Sequence, residues 1–152
     1  MLEVISHRGN LNCANEYENE PNQIQKALEL FRVEVDVWNL DGKWLLGHDE
    51  PVYNVEFDFF DKGMFLHCKN MEAVENLCET DFNWFWHQAD LLTLTSHKEM
   101  WCFPGNYMKN GITVLHGEPE LQSTKRLPFN IKGICTDYPL KMAELLNEIK
   151  NL

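Results

Sequence analysis

The chain is poor in positive charge. Thirteen lysines and arginines stand against 24 aspartates and glutamates over 152 residues, a formal net charge of −11. That excludes general nucleic-acid binding or attraction to an anionic membrane, both of which need a basic surface. It leaves room for one small anion in a local basic pocket. No apolar run approaches the roughly 20 residues that span a bilayer, and no basic amphipathic helix is evident. The opening MLEVISHRGN has no basic stretch followed by an apolar one, so no secretory leader is expected. The five cysteines (Cys13, Cys68, Cys78, Cys102 and Cys135) are odd in number and form no Cys-x-x-Cys pair. A disulfide framework is therefore not expected, and reduced thiols in a cytoplasm fit better. A phosphate-cradling loop is missing too, since the glycines of GNYMKNG lie far apart with no Gly-Lys-Ser/Thr after them. There is no repeat, linker or low-complexity tract. Hydrophobic content of 44% makes residues 1–152 one folded domain.

What is present reads as α/β. Strand-like runs fall at 2–7, 33–38, 43–48, 63–68, 83–87, 91–95, 99–103, 111–116 and 132–136. PNQIQKALELF sets Ile24, Ala27, Leu28 and Phe31 at helical spacing behind Pro21, and PLKMAELLNEIKNL does the same with Leu140, Ala143, Leu146 and Ile149. NMEAVENLCET is a third helix. Strand and helix alternate at the front and the end, as in a parallel sheet. The middle differs: FNWFWHQADLLTLTSHKEMWCFPGNY packs three strand-like runs a few residues apart, whereas a parallel crossover needs about a dozen. TSHKE is expected to close an antiparallel hairpin there.

Charged residues sit where strands are usually apolar. In VEVDVW, Glu34 and Asp36 share one face and Val33, Val35 and Val37 the other. If the valines pack under helices, the carboxylates point into the sheet's interior, where they need a metal, a base or arginine. Of the six histidines, all but His97 fall at or near the C-terminal end of an expected strand, the edge that carries active sites in parallel α/β folds. The set suits phosphodiester cleavage. Glu34 and Asp36 offer hard oxygens to a divalent cation. Arg8 offers a bidentate fork to phosphate oxygens, and Lys69 a further positive charge. His7 and His48 are the candidate base and acid. His87 and His116 read as structural, and Cys68 as a small core residue.

At these residues the chain resembles the glycerophosphodiester phosphodiesterase family. The resemblance rests on His7-Arg8-Gly9 ending the first strand, Glu18-Asn19 before the first helix, and Glu34-x-Asp36. It continues with Asp41-Gly42 leading to His48-Asp49, and with Thr136-Asp137-Tyr138-Pro139 before the last helix. It implies a (β/α)8 barrel, a divalent metal (Mg²⁺ or Ca²⁺) on Glu34 and Asp36, Arg8 on the phosphate, and His7 and His48 as the histidine pair. It also implies attack by a neighbouring substrate hydroxyl to give a cyclic phosphate. Two departures matter. Where relatives carry Glu-x-Lys on the third strand, this chain has His67-Cys68-Lys69; His67 as third ligand favours Mn²⁺, Zn²⁺ or Fe²⁺ over Ca²⁺. And 152 residues fall well short of the roughly 250 of such a barrel.

The expected fold is therefore a reduced (β/α)8 TIM-type barrel lacking several outer helices in mid-chain. A sheet face without helices wants cover, so a homodimer is expected over that side, with Trp84, Phe85, Trp86 and Trp101 contributing. The expected activity is metal-dependent hydrolysis of a small glycerophosphodiester-like molecule in the cytoplasm, without nucleic acid or membrane. Its rivals are a non-catalytic descendant that binds a phosphate ligand or a protein partner, and a hydrolase of another diester such as a nucleotide-sugar.

Overall fold

The computed structural model describes residues 2–120, 124–128 and 130–150. Its strands are β1 (Glu3–His7), β2 (Arg32–Leu40), β3 (Lys43–Leu46), β4 (Tyr53–Val55), β5 (Met64–Cys68), β6 (Asn83–Trp86), β7 (Leu92–Leu94), β8 (Met100–Cys102), β9 (Gly111–Leu115) and β10 (Gly133–Thr136). Among the described residues three α-helices are bounded: α1 (Pro21–Leu28), α2 (Met71–Leu77) and α3 (Pro139–Lys150). The helix expected at the end of the chain is thus present, and its last two residues lie outside the described ones. No described helix is long and apolar enough to cross a membrane.

Strands β6, β5, β2, β1, β10, β9 and β8 are successive parallel neighbours, and β7 closes the row antiparallel to β8. The row curls until its ends approach: Ser96 N donates to Trp84 O at 2.7 Å and Thr93 Oγ1 to Trp86 O at 3.0 Å. The result is a partial barrel. The β7–β8 hairpin falls where the crowded spacing requires one, with Leu94 opposite Met100 across the TSHKE turn. No α-helix lies between α2 and β9.

Strand β3 corrects the expected parallel order. It folds back antiparallel on the upper half of β2, Val37 opposite Leu46, and hands on to β4, which had not been expected. The cause is the two-residue Asp41-Gly42 turn, with φ of 51° and 77°, the backbone of a tight hairpin. His48 therefore reaches the site from above, down a returning strand. Its approach runs through Gly47, where a Cβ would stand 2.0 Å from the Glu50 carbonyl oxygen, so only glycine fits.

The pleat sorts the chain into two cores. Outward, Val33, Val35, Val37, Met64 and Leu66 pack under Ile24 and Ala27 of α1 and Ala73 and Leu77 of α2. Each buried valine or leucine contributes roughly 1.5–3 kcal/mol. Inward, Ile5, Phe65, Phe85, Trp101, Ile112, Val114 and Cys135 fill the curl. Phe85 and Trp101 stack 4.7 Å apart inside it, so neither is available to the outer face assigned to them above. Trp84 and Trp86 point the other way and are half-buried.

Candidate active site and metal centre

Side chains that face inward near the C-terminal ends of the parallel strands form a polar cluster above the inner core. His7 ends β1, Glu34 and Asp36 lie on β2, His67 on β5, and His116 and Asp137 follow β9 and β10. Parallel pairing puts them side by side: Glu34 is in register with His7 and Phe65, and Asp36 with His67. A cleft of about 210 Å³ opens over them, lined by His7, Arg8, Glu34, His48, His67 and His116 together with Trp101, Phe103 and Pro104. A larger groove of about 720 Å³ runs along the loop after β1 to Tyr53 and has no comparable cluster of buried charges.

Glu34 is 2% and Asp36 0% exposed. Asp36 Oδ2 accepts from Asn19 Nδ2 at 3.0 Å and lies 3.0 Å from Arg8 Nε. Its Oδ1 lies 3.0 Å from His67 Nδ1 and 3.4 Å from Lys69 Nζ. Glu34 places Oε1 3.4 Å from His67 Nδ1 and Oε2 3.8 Å from His7 Nε2. Yet Glu34 Oε2, Asp36 Oδ1 and Arg8 Nε are all buried without a hydrogen bond. The charges are close, but their donors are not aimed at the lone pairs.

His67 decides what this cluster can hold. Its Nε2 meets the His87 carbonyl at 2.8 Å, and a carbonyl only accepts, so Nε2 carries a proton. The ring is fixed by stacking on Phe85 at 4.8 Å. Nδ1 therefore faces the two carboxylates either with a lone pair or with a second proton. Burial works against that second proton, but Asp36 and Glu34 outweigh it and lift the pKa to about 9. The same contact, with Arg8, overcomes burial at Asp36 and holds its carboxyl well below the usual range. A divalent ion would displace the His67 proton. One oxygen each from Glu34 and Asp36, with Nδ1 of His67, lie within 4.8 Å of one another. Two adjacent buried carboxylates and an imidazole whose Nδ1 faces them fit Mn²⁺, Zn²⁺ or Fe²⁺ better than Ca²⁺.

His7 is held separately. Its Nδ1 donates to Asp137 Oδ1 at 2.6 Å, which leaves Nε2 facing Glu34. Burial opposes charge on His7, and the Asp137 hydrogen bond and the Glu34 charge overcome it, so its pKa is raised. Arg8 stands in the left-handed region at φ 54°, which swings its guanidinium back over the strand ends. There Nη1 donates to Glu18 Oε2 at 2.9 Å. Gly9 follows at φ 81°, where a Cβ would press on the Ile24 backbone at 3.1 Å. Burial pushes the Cys68 thiol up to about 12 and lifts that of Cys135 well above its ordinary value, so neither is a nucleophile.

Five of the seven residues expected from the sequence (His7, Arg8, Glu34, His48 and His67) line this cleft. Asp36 is buried beneath it beside Arg8 and His67, and Lys69 stands on Asp36 without lining the cleft. Four supporting residues had been given no role: Glu18 and Asn19, which hold Arg8 and Asp36, and Asn10 and Asp137, which hold His7. Glu18, Asn19 and Asp137 lie in the quoted motifs, so the signal was present. Comparison with family models, curated proteins and solved structures finds no match to this chain.

Proposed function

We propose that this chain is a metal-dependent phosphodiester hydrolase of the glycerophosphodiester phosphodiesterase type, acting on a small glycerophosphodiester-like molecule. On this reading the curled sheet is a TIM-type barrel that has lost its mid-chain helices. The observation that carries it is the pair of buried carboxylates on Glu34 and Asp36: Glu34 Oε1 and Asp36 Oδ1 face His67 Nδ1, Glu34 Oε2 faces His7, and Arg8 lies beside them. Two buried carboxylates side by side cost several kcal/mol unless positive charge offsets them, so their placement under a cleft supports a cation there.

Charge balance points the same way. Among the described residues Glu18, Glu34, Asp36 and Asp137 face only Arg8 and Lys69 as fixed cations. A phosphate anion needs more positive charge than that. When bound, the ion would supply it, polarising the phosphoryl oxygens as a Lewis acid. Arg8 orients the phosphate from the rim. His7, with Nδ1–H spent on Asp137, takes the proton of the attacking hydroxyl at Nε2. A second cleft histidine returns a proton to the leaving alcohol, His48 by the order of the motifs. The small cleft and the aromatic wall of Trp101 and Phe103 suit a small molecule.

The test is hydrolysis of a glycerophosphodiester in EDTA, then with Mg²⁺, Ca²⁺, Mn²⁺ or Zn²⁺ restored. Activity lost to EDTA and recovered with one ion, Mn²⁺ or Zn²⁺ above Ca²⁺, is expected; activity untouched by EDTA would overturn the metal.

One observation favours a second reading, a non-catalytic descendant that binds a phosphate ligand or a protein partner. A protonated His67 neutralises Glu34 and Asp36 from within, and Arg8 is spent on Glu18 and Asp36. No hydrolysis with any ion, together with calorimetric binding of glycerol phosphate, would favour it.

A further inference from the structure

Asp137 serves two histidines, and the reading above uses one of them. Oδ1 takes the Nδ1 proton of His7 at 2.6 Å, while Oδ2 lies 3.5 Å from Nδ1 of His116. The two rings stand edge to face with centroids 5.0 Å apart. The carboxylate between them is 3% exposed and is pinned further by Asn10 Nδ2 at 3.0 Å. His116 leaves β9 beside the end of β10, where Leu115 is in register with Thr136, so two paired strands set this arrangement. It lines the same cleft as His7, with about half of its side chain open. With Nδ1 on a carboxylate, Nε2 is the nitrogen left for the cleft.

His48 is held less firmly. Its Nδ1 rests at 2.8 Å on Asp49, the next residue in the chain, whose side chain is 91% exposed. No other described element holds that pair. A proton donor has to be placed against one oxygen of the substrate, and a buried carboxylate fixed from two strands does that better than a solvated one on a loop.

We propose that His116 is the catalytic acid of the phosphodiester hydrolysis, in the place given to His48 above; this rests on the hydrolase reading of the cleft. As the attacking hydroxyl oxygen bonds to phosphorus, its proton passes to His7 Nε2. As the phosphorus–oxygen bond to the leaving alcohol breaks, the electron pair stays on that oxygen, which takes the Nε2 proton of His116. Water then opens the cyclic phosphate in the reverse sense: as its oxygen bonds to phosphorus its proton passes to His116 Nε2, and as the phosphorus–oxygen bond to the former attacking oxygen breaks, that oxygen takes back the proton from His7 Nε2. Nothing is oxidised or reduced.

The experiment compares kcat/KM of His116→Asn, His116→Gln and His48→Asn on two glycerol phosphodiesters, one of p-nitrophenol and one of ethanol. Both carry the same attacking hydroxyl; nitrophenolate leaves without a proton and ethoxide does not. Both His116 variants are expected to lose about 100-fold or more on the ethyl ester and less than about tenfold on the nitrophenyl ester. Equal losses on both esters would make His116 structural, and no loss would make it idle. A leaving-group-selective loss in His48→Asn alone would return the acid to His48. Each of these overturns the assignment while the hydrolase reading stands. A wild-type protein that cleaves neither ester with any divalent ion overturns both.

Discussion

The two ends of the parallel strands both carry charge, and they treat it in opposite ways. At the N-terminal ends Glu3, Arg32, Asn83, Glu99 and Lys132 close on one another. Asn83 Nδ2 donates to Glu99 at 2.6 Å, Lys132 Nζ pairs with the same carboxylate, and Arg32 lies between Glu99 at 3.8 Å and Glu3 at 3.6 Å. The Arg32 guanidinium also caps the Phe65 ring at 3.8 Å from its centroid. Both signs are present in near balance, and most donors have an acceptor. At the C-terminal ends carboxylates outnumber fixed cations. Of four buried polar side-chain atoms without a hydrogen bond among the described residues, Arg8 Nε, Glu34 Oε2 and Asp36 Oδ1 lie there, and Asn83 Oδ1 alone lies at the other end. One end is a plug that satisfies itself. The other keeps unspent valence, as a site awaiting a ligand does.

Breaking that contrast begins at the reactive end. His7→Ala should lose roughly 10²- to 10⁴-fold in kcat, the usual weight of an acid–base residue, while circular dichroism still reports a folded chain. A wild-type rate would remove His7 as the base. Glu34→Gln removes a charge but little volume. It should weaken divalent-ion affinity about 10- to 100-fold, at least the loss that outer-shell partners of metal ligands produce. In EDTA its melting temperature should fall only modestly, because Asp36 still faces His67 and Asp137 still holds His7. Calorimetric titration with Mn²⁺ and Zn²⁺ and a thermal melt decide it; unchanged ion affinity would remove Glu34 from the metal centre.

The parts of this contrast that follow a local period were legible in the sequence. Val33 to Val37 alternates strictly, and a period of two can only put Glu34 and Asp36 on the face away from the helices. The β7–β8 hairpin was legible because three strand-like runs left no room for crossovers. What escaped depends on longer range or on orientation. His7 and Asp137 meet across 130 positions, a separation no window along the chain registers. The return of β3 was misjudged although Asp41-Gly42 signals a tight turn, because the helical rhythm on either side suggested a parallel order. NWFW looked like one aromatic surface. The pleat divides it, Phe85 into the curl and Trp84 and Trp86 outward, by the same rule that sorted the valines.

At the plug the expected effects are smaller and fall on stability. Glu99→Gln leaves Arg32 and Lys132 without their shared carboxylate, and should cost about 1–3 kcal/mol in urea denaturation with kcat unchanged. An equal loss of turnover would mean that the two ends are coupled and the contrast is false. The sign of the pH effect sharpens this further. Burial pushes the Glu99 carboxyl up, but Lys132, Arg32 and Asn83 outweigh it and hold it below its ordinary 4.5. A carboxyl lowered in the folded state stabilises fully above its unfolded value, and the stabilisation is lost as pH falls through the folded one. The gap between wild type and Glu99→Gln should therefore be full and flat from neutral pH down to about 4.5. It should then shrink toward zero in more acid solution, where protonated Glu99 resembles glutamine. Urea titrations of both proteins across that range read the gap directly. A gap that stays constant in acid would mean that Glu99 stabilises by shape and packing, and that the plug is not held by charge.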